Sequence, residues 1–399
     1  QPVCLDLARF AERSSAIFGR TGTGKTFITR LILAGLIKTD AAVNLVFDMH
    51  GEYGTKGTKE GDGRGSVKGL QPLFASSDKV KIYSLDPEST RRRGARCDVE
   101  VRLGADKIEP DDILLLQEEL RLNPTAAEYT HILKGHFKEN WLAAFLEKMK
   151  EGSEAINAFA EEHRLLTGSL DALYRRLKRL ADQSGFLDMK PDGKIDVIER
   201  LLADLDRGKS VVIEFGKYDN LMSYLLVANI ITREVEQCYK EKTETYLRTQ
   251  LEQDKPQQLV ITIEEAHKFL NPKAAAQTSF GKIARELRKY YVSLLIVDQR
   301  PSGIYDEVLS QIGTKIVAAL SDEKDITAVL NGVSNPQSMR NVLASLDTKQ
   351  QALVMGHAVP MPVVIRTRDY DDKFYSAMGF ATGEEKRKQV SKGIADLMD

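Results

Sequence analysis

The residues with the clearest chemistry are Gly19-Arg-Thr-Gly-Thr-Gly24-Lys25-Thr26. They satisfy G-x4-G-K-[ST], follow the apolar Ala16-Ile-Phe18 and precede a helix-period segment at 25–36. In that context the pattern is a phosphate loop. Glycines let consecutive backbone N–H groups turn inward around a β-phosphate, and the helix N-terminus behind them adds partial positive charge. Gly19, Thr21, Gly22, Thr23 and Gly24 would form the cradle. Lys25 would reach the β and γ oxygens as a point charge, and the Thr26 hydroxyl would ligate Mg²⁺. The expected cofactors are therefore ATP and Mg²⁺.

Such a loop needs an apolar strand that ends in carboxylates. Leu259-Val-Ile-Thr-Ile263-Glu264-Glu265 supplies one. Two carboxylates at the end of a buried strand are costly unless a cation neutralises them. Glu264 is expected to hold Mg²⁺ through water, and Glu265 to polarise the attacking water. Glu stands where Asp is usual, which lengthens the reach. His267, two residues on, either couples the site to a neighbouring segment or makes a structural hydrogen bond. A second buried run, 293–298, leads into Gln299-Arg-Pro301. Gln299 can donate to a γ-phosphate or orient water, which makes it a candidate sensor. Just before that run, Arg285, Arg288 and Lys289 end a helical segment. They are either a dipole-stabilised solvated face or include an arginine finger aimed at a neighbouring subunit's γ-phosphate.

The elements that must position these groups read as an α/β fold. Short apolar runs recur at 15–18, 43–48, 79–83, 210–215, 259–264, 293–298, 315–320, 352–355 and 363–366. Continuous apolarity suits strands covered on both faces by helices, as in a mainly parallel sheet. Helix-period segments lie between them, for example 222–239 and 280–290. From 110 to 206 no strand is expected. Helical segments at 111–120, 125–137, 140–150, 153–183 and 194–206 read instead as an inserted all-helical unit, with Trp141 and its leucines as core. The stretch 51–69 holds seven glycines with Lys56, Lys59, Arg64 and Lys68. It reads as a long loop without an element. As a mobile basic loop it could track DNA phosphates through Lys56, Lys59 and Arg64, or be a solvated surface loop. Arg91-Arg-Arg-Gly-Ala-Arg96 either binds phosphate or holds acidic neighbours.

Composition sets outer bounds. The 399 residues carry 57 Lys+Arg against 58 Asp+Glu, a formal net charge of −1, so any nucleic-acid contact must be local. Cys4, Cys97 and Cys238 form no CxxC pair, which fits a reducing cytosol. The six histidines show no zinc spacing. No run approaches a membrane span, and no aromatic-interleaved stacking platform for single strands appears. The chain begins at Gln1 rather than Met, from which an upstream segment is expected.

Together these pieces resemble the HerA branch of the HerA/FtsK family of ring-forming DNA-translocating ATPases. The resemblance rests on 16–26, Phe47-Asp-Met-His-Gly-Glu-Tyr53, Ile263-Glu-Glu-Ala-His267, Arg285-Glu-Leu-Arg-Lys289, Asp298-Gln-Arg-Pro-Ser302 and the run 308–316. It covers about residues 1–370. It implies a RecA-like core in two parts, 1–109 and 207–370, around a helical insertion at 110–206. A helical tail at 371–399 would follow, and an N-terminal β-barrel would lie upstream. It further implies a homo-hexamer around double-stranded DNA, with Arg288 as the finger and Arg285 the second candidate. The partner would be a NurA-type nuclease in DNA repair, or a nuclease or sirtuin-like NADase in antiviral defence. Met49 departs from the family's usual Pro, and the glycine- and lysine-rich loop after Tyr53 and the neutral charge are also unusual. An ATP-driven cytoplasmic helicase or translocase is the first expectation. An ATP-switched scaffold that activates a partner effector is the second. A secretion or conjugation pump would normally bring membrane anchors.

Overall fold

The computed structural model describes residues 2–58, 66–191, 196–276, 278–333, 335–347 and 350–380. Its strands, in chain order, are β1 (Ser15–Phe18), β2 (Val43–Asp48), β3 (Lys56–Thr58), β4 (Ser66–Lys68), β5 (Val80–Ser84), β6 (Val99–Glu100) and β7 (Leu103–Gly104). They continue with β8 (Leu187–Asp188), β9 (Ser210–Glu214), β10 (Leu259–Glu264), β11 (Val292–Asp298), β12 (Thr314–Val317), β13 (Gln351–Gly356) and β14 (Val363–Arg366). All nine apolar runs are strands of one sheet, ordered β14-β13-β12-β1-β11-β10-β2-β9-β5-β6. Pairing is parallel from β12 to β6 and antiparallel at β12–β13 and β13–β14.

Every residue of β1, β2, β9, β10, β11 and β12 is buried, whereas the edge strand β14 alternates half-buried and exposed. Buried parallel strands face helices on both sides, and an antiparallel edge does not need to. Successive side chains point to opposite faces. Leu45, Phe47, Ile261, Ile263, Leu294 and Ile296 accordingly join one core, which continues through the leucines and Trp141 of the helices between 110 and 206. Ile17, Val46, Val260, Leu295 and Ile316 join the other core, against the helix Lys25–Thr39. This is the α/β architecture with a mainly parallel sheet.

The stretch 110–206 differs from expectation in two places. The helix expected at 153–183 is two helices, Ser153–Glu162 and Thr167–Gln183. Arg164 at φ 54 ends the first, with Leu165 N–H bonding to Ala160 C=O at 2.7 Å and Arg164 N–H to Glu161 C=O at 3.2 Å. That is a Schellman closure without the usual glycine, so no residue type announces it. A short strand also occurs there, β8, pairing in parallel with β7. The glycine-rich stretch after Tyr53 is corrected as well: β3 and β4 form an antiparallel hairpin. It is tied down from outside. Val67 is buried, Tyr370 Oη donates to Lys68 C=O at 2.9 Å, and buried Arg30 donates through Nε to Glu52 C=O at 2.9 Å. Lys56 is exposed on β3, while Lys59 and Arg64 lie outside the described residues. In the basic cluster, Arg93 and Arg96 hold the acidic neighbours Glu214 and Asp98. No helix among the described residues is long and apolar enough to cross a membrane.

One ion pair fastens the helical stretch to the long helix Leu221–Thr249. Asp112, on the helix Pro110–Leu115, is fully buried. It accepts from Arg233 Nη1 at 2.8 Å, Asn229 Nδ2 at 2.7 Å and the Glu109 N–H at 2.8 Å. Arg233 and Asn229 belong to the long helix Leu221–Thr249. Removing one partner strands the other, so Asp112→Ala should destabilise the protein by about 3–5 kcal/mol. A lower urea midpoint for the variant is the expected reading; an unchanged midpoint would show that this pair does not fasten the two parts.

Candidate nucleotide site

The register Phe18↔Asp298 and Glu264↔Val297 brings the carboxyl ends of β1, β10 and β11 to one sheet edge, where ligands of open α/β sheets bind. The phosphate loop leaves β1 there. Gly22 and Gly24 take φ values of 78° and 90°. Gly24 is the N-cap of the helix Lys25–Thr39, and no side chain caps it, so its first N–H groups face the loop's hollow. A Cβ on Gly19 would stand 2.7 Å from Thr23 Oγ1 and 2.9 Å from Ala318 Cβ, so only glycine fits. Lys25 Nζ donates to Arg20 C=O at 3.0 Å, which holds the ammonium over the loop.

Across the hollow, Thr21 Oγ1 donates to Gln299 Oε1 at 2.8 Å, and Gln299 Nε2 donates to Glu265 Oε1 at 3.3 Å. Gln299 thus links the phosphate loop to the second carboxylate of the acidic strand end. A cavity of ≈ 210 Å³ lies between them, lined by Lys25, Thr26, Glu264, Glu265 and Gln299. His50 and Glu52 also line it. The structure therefore brings together the phosphate-loop, acidic and sensor residues.

Glu264 is the centre of this site. Tyr53 Oη donates to its Oε1 at 2.6 Å. Tyr224 Oη accepts from its N–H at 2.9 Å and donates to its C=O at 3.1 Å. Its Oε2 is buried with no hydrogen-bond partner. Burial is the main cause that pushes its carboxyl up to about 8, with Asp48, Glu52 and Glu265 adding to the rise and the Tyr53 hydrogen bond opposing it. An unpartnered carboxylate oxygen in a residue that lines the same cavity as Thr26 fits a water-mediated Mg²⁺ site, and such an ion would supply the charge that makes ionised Glu264 affordable.

Two supporting groups went unassigned in the sequence. Asp48, fully buried at the end of β2, accepts the N–H groups of Glu52, Tyr53 and Gly54 at 2.7, 2.8 and 3.0 Å. It shapes the turn that presents Tyr53, although burial raises its own pKa. Their signal was Asp48-Met-His-Gly-Glu-Tyr53, quoted above for its resemblance and given no role. His267 makes the hydrogen bond that was one of its two readings: its N–H and Nδ1 contact Asp298 Oδ2 at 2.7 and 3.0 Å.

Arg285 and Arg288 lie elsewhere. They sit beside Arg13 and Ser14 at the amino ends of β1 and β11, around a separate small cavity. The seven residues of β11 span about 23 Å at ~3.3 Å each, so neither arginine reaches the cavity of its own chain.

Glu264 also makes a pH prediction for the protein free of nucleotide and metal. Its folded-state pKa of about 8 exceeds the ordinary 4.5, so its protonated form is favoured by folding. Its contribution is fully present below the ordinary value and is lost as pH rises through about 8. The slope from this one group is at most ~1.4 kcal/mol per pH unit. Urea midpoints in chelator from about pH 5 to pH 8 should fall less steeply for Glu264→Gln. Asp48, Asp112 and Glu214, also raised by burial, leave a residual slope. Equal slopes would remove Glu264 as the titrating group.

Comparison with known proteins agrees with this geometry. The family described as helicase HerA, central domain, matches residues 1–235. The DNA double-strand break repair helicase HerA of Sulfurisphaera tokodaii is 26% identical over 97% of this chain and 71% of its own length. That of Pyrococcus furiosus is 23% identical over 92% and 67%. Among solved structures, VirB4 of Thermoanaerobacter pseudethanolicus aligns with a TM-score of 0.53 at 14% identity, covering 89% of each chain. The plasmid coupling protein TrwB in complex with ADP and Mg²⁺ aligns at 0.54 and 14%, covering 90% of this chain and 86% of that one. At such identities the structural likenesses speak for the fold alone, a P-loop NTPase core. With the family matching more than half of its length, the chain belongs to the HerA family of P-loop ATPases.

Proposed function

We propose that this chain is an ATP-hydrolysing motor that assembles as a hexameric ring and translocates or unwinds double-stranded DNA. It would do so with a partner nuclease or a sirtuin-like effector. The observation that carries this reading is the split of the machinery between two edges of one sheet. Phosphate loop, acidic pair and Gln299 share a cavity at one edge, while Arg288 stands exposed at the other. An arginine placed so can complete only another subunit's site, which is the logic of a ring. The duplex substrate is taken from the names of the matching helicases.

In this reading the loop amides and Lys25 hold the triphosphate of ATP. Thr26 and Glu264 hold Mg²⁺, which supplies charge neutralisation when bound. Glu265 accepts from the attacking water. Gln299, bonded both to Thr21 and to Glu265, registers whether a γ-phosphate fills the space between them. Arg288 of one subunit stabilises charge at the next. The chain is then one RecA-like core interrupted at 110–206, with the basic stretch of Lys56, Lys59 and Arg64 facing DNA phosphates without reading sequence.

Lys25→Ala should abolish ATP turnover. Arg288→Ala should lower turnover by roughly 10³–10⁵-fold while leaving ATP affinity intact; normal turnover removes Arg288 from the role and passes it to Arg285. Duplex DNA should raise the ATPase rate of the assembled ring, measured with the genomic partner present. A rate that duplex DNA leaves unchanged overturns the motor and favours a nucleotide-switched scaffold.

A further inference from the structure

We infer that the helices between 110 and 206 carry a second, sequence-independent site for the phosphate backbone of nucleic acid, formed by Arg121, Arg176 and Arg179. A cavity of ≈ 380 Å³ opens where the turn after Pro110–Leu115, the helix Thr167–Gln183 and the start of Leu221–Thr249 meet. These three arginines line it. None of them has an ion-pair partner among the described residues, and the single acid on the wall is Glu119. The contrast within the molecule is direct. A cavity of ≈ 520 Å³ at the amino ends of the strands also holds lysines, but Lys79 is committed to Asp40 at 2.6 Å and Lys209 to Asp78 at 2.7 Å.

The surroundings strengthen the charge. Arg176 and Arg179 are three residues apart on one helix, so their stems lie side by side, about 5–6 Å between Cβ atoms. Leu120 and Leu180, only 6% and 1% exposed, close it on the side of the core. Arg121 and Arg179 are exposed and Arg176 is half-buried, so all three can meet an anion arriving from solvent. Their planar forks match phosphate oxygens two at a time. A carboxylate-bearing protein surface offers similar oxygens, but a stable protein partner also needs apolar anchors. The large exposed hydrophobic side chains among the described residues, such as Ile132, Leu166 and Leu251, do not line this cavity. A polyanion fits better.

The position is also suited to a motor. Met222 on the cavity wall is two residues from Tyr224, whose hydroxyl grips the backbone of Glu264. Glu118, in the same turn as Arg121, pairs at 3.1 Å with Lys273, just beyond the acidic strand end. A duplex held here would touch the elements that frame the nucleotide site.

The inference rests on the DNA-motor reading, and one titration separates the two. The full chain and an Arg121→Gln/Arg176→Gln/Arg179→Gln variant are titrated with fluorescent duplex DNA at several salt concentrations. Matching unfolding midpoints establish that the variant is folded. The expected result is affinity weaker by roughly tenfold or more, with the slope of log K against log salt shallower by about 2–3. The Arg176→Lys/Arg179→Lys variant should keep the slope. Wild-type binding with an unchanged variant overturns this site alone. No binding by either chain overturns the motor reading and this site with it. Unchanged DNA binding with lost capture of the purified partner enzyme overturns it in favour of an acidic protein surface.

Discussion

The constraint on which this structure turns is the burial of a carboxylate, Glu264, at the end of a buried strand. A carboxylate moved out of water must find hydrogen bonds or a cation. Tyr53 reaches its Oε1 from the turn after β2, and Tyr224 clamps its backbone from the helix after β9. Tyr224 is itself wedged against Phe215 and Phe269, with ring centroids 5.3 Å apart in each case. Three segments far apart in sequence thereby meet on one residue, and one of its carboxylate oxygens, Oε2, is still left without a partner.

The neighbouring strands show why that leftover oxygen is informative. β11, β10, β2 and β9 are adjacent in the sheet, and their last residues are Asp298, Glu264, Asp48 and Glu214, all buried. Three of the four are answered by the protein. Asp298 receives N–H groups from His267 and Arg300, and Asp48 receives three amides. Glu214 receives Thr90 and Arg93 at 2.9 and 2.6 Å. These three hold loops in place. Glu264 alone of the row keeps an open demand, and it faces the cavity that the phosphate loop and Thr26 also line. Parallel topology explains the row itself, since every parallel strand ends at the same edge.

The sequence showed what depended on runs and spacing. Nine apolar strands, the phosphate loop, the acidic pair and Gln299 are each legible because contiguous residues carry the signal. What it did not show depends on contacts between distant segments. β6, β7 and β8 are two residues each, too short for any periodicity. The β3–β4 hairpin has glycine where strand propensity would demand a side chain. A Cβ on Gly57 would collide with the Arg30 guanidinium, so glycine there serves packing rather than flexibility. Arg164 closes a helix in a conformation usually left to glycine. Asp48 and Tyr53 were read as motif letters because Asp48 serves to shape the turn that aims Tyr53 at Glu264, 211 residues from Tyr53. Likewise, helical periodicity marked the leucines between 110 and 206 as core, but it is tertiary packing that sets Arg121 beside Arg176 and Arg179.

The sheet also limits how an arginine can take part in hydrolysis. Among the described residues that line the cavity the basic groups are Lys25 and His50, and no arginine is among them. Arg288 is instead anchored at the start of β11, and the length of that strand fixes it about a sheet's height from Gln299. Because β11 is hydrogen-bonded on both sides, to β1 and β10, no local rearrangement shortens that distance. The same strand carries the arginine at one end and the candidate sensor at the other. Under the ring reading proposed above, a subunit whose Gln299 responded to its own nucleotide would be rigidly connected to the arginine it offered a neighbour. In a closed ring, a rigid strand of this kind would pass the state of one site to the next by displacement rather than by deformation.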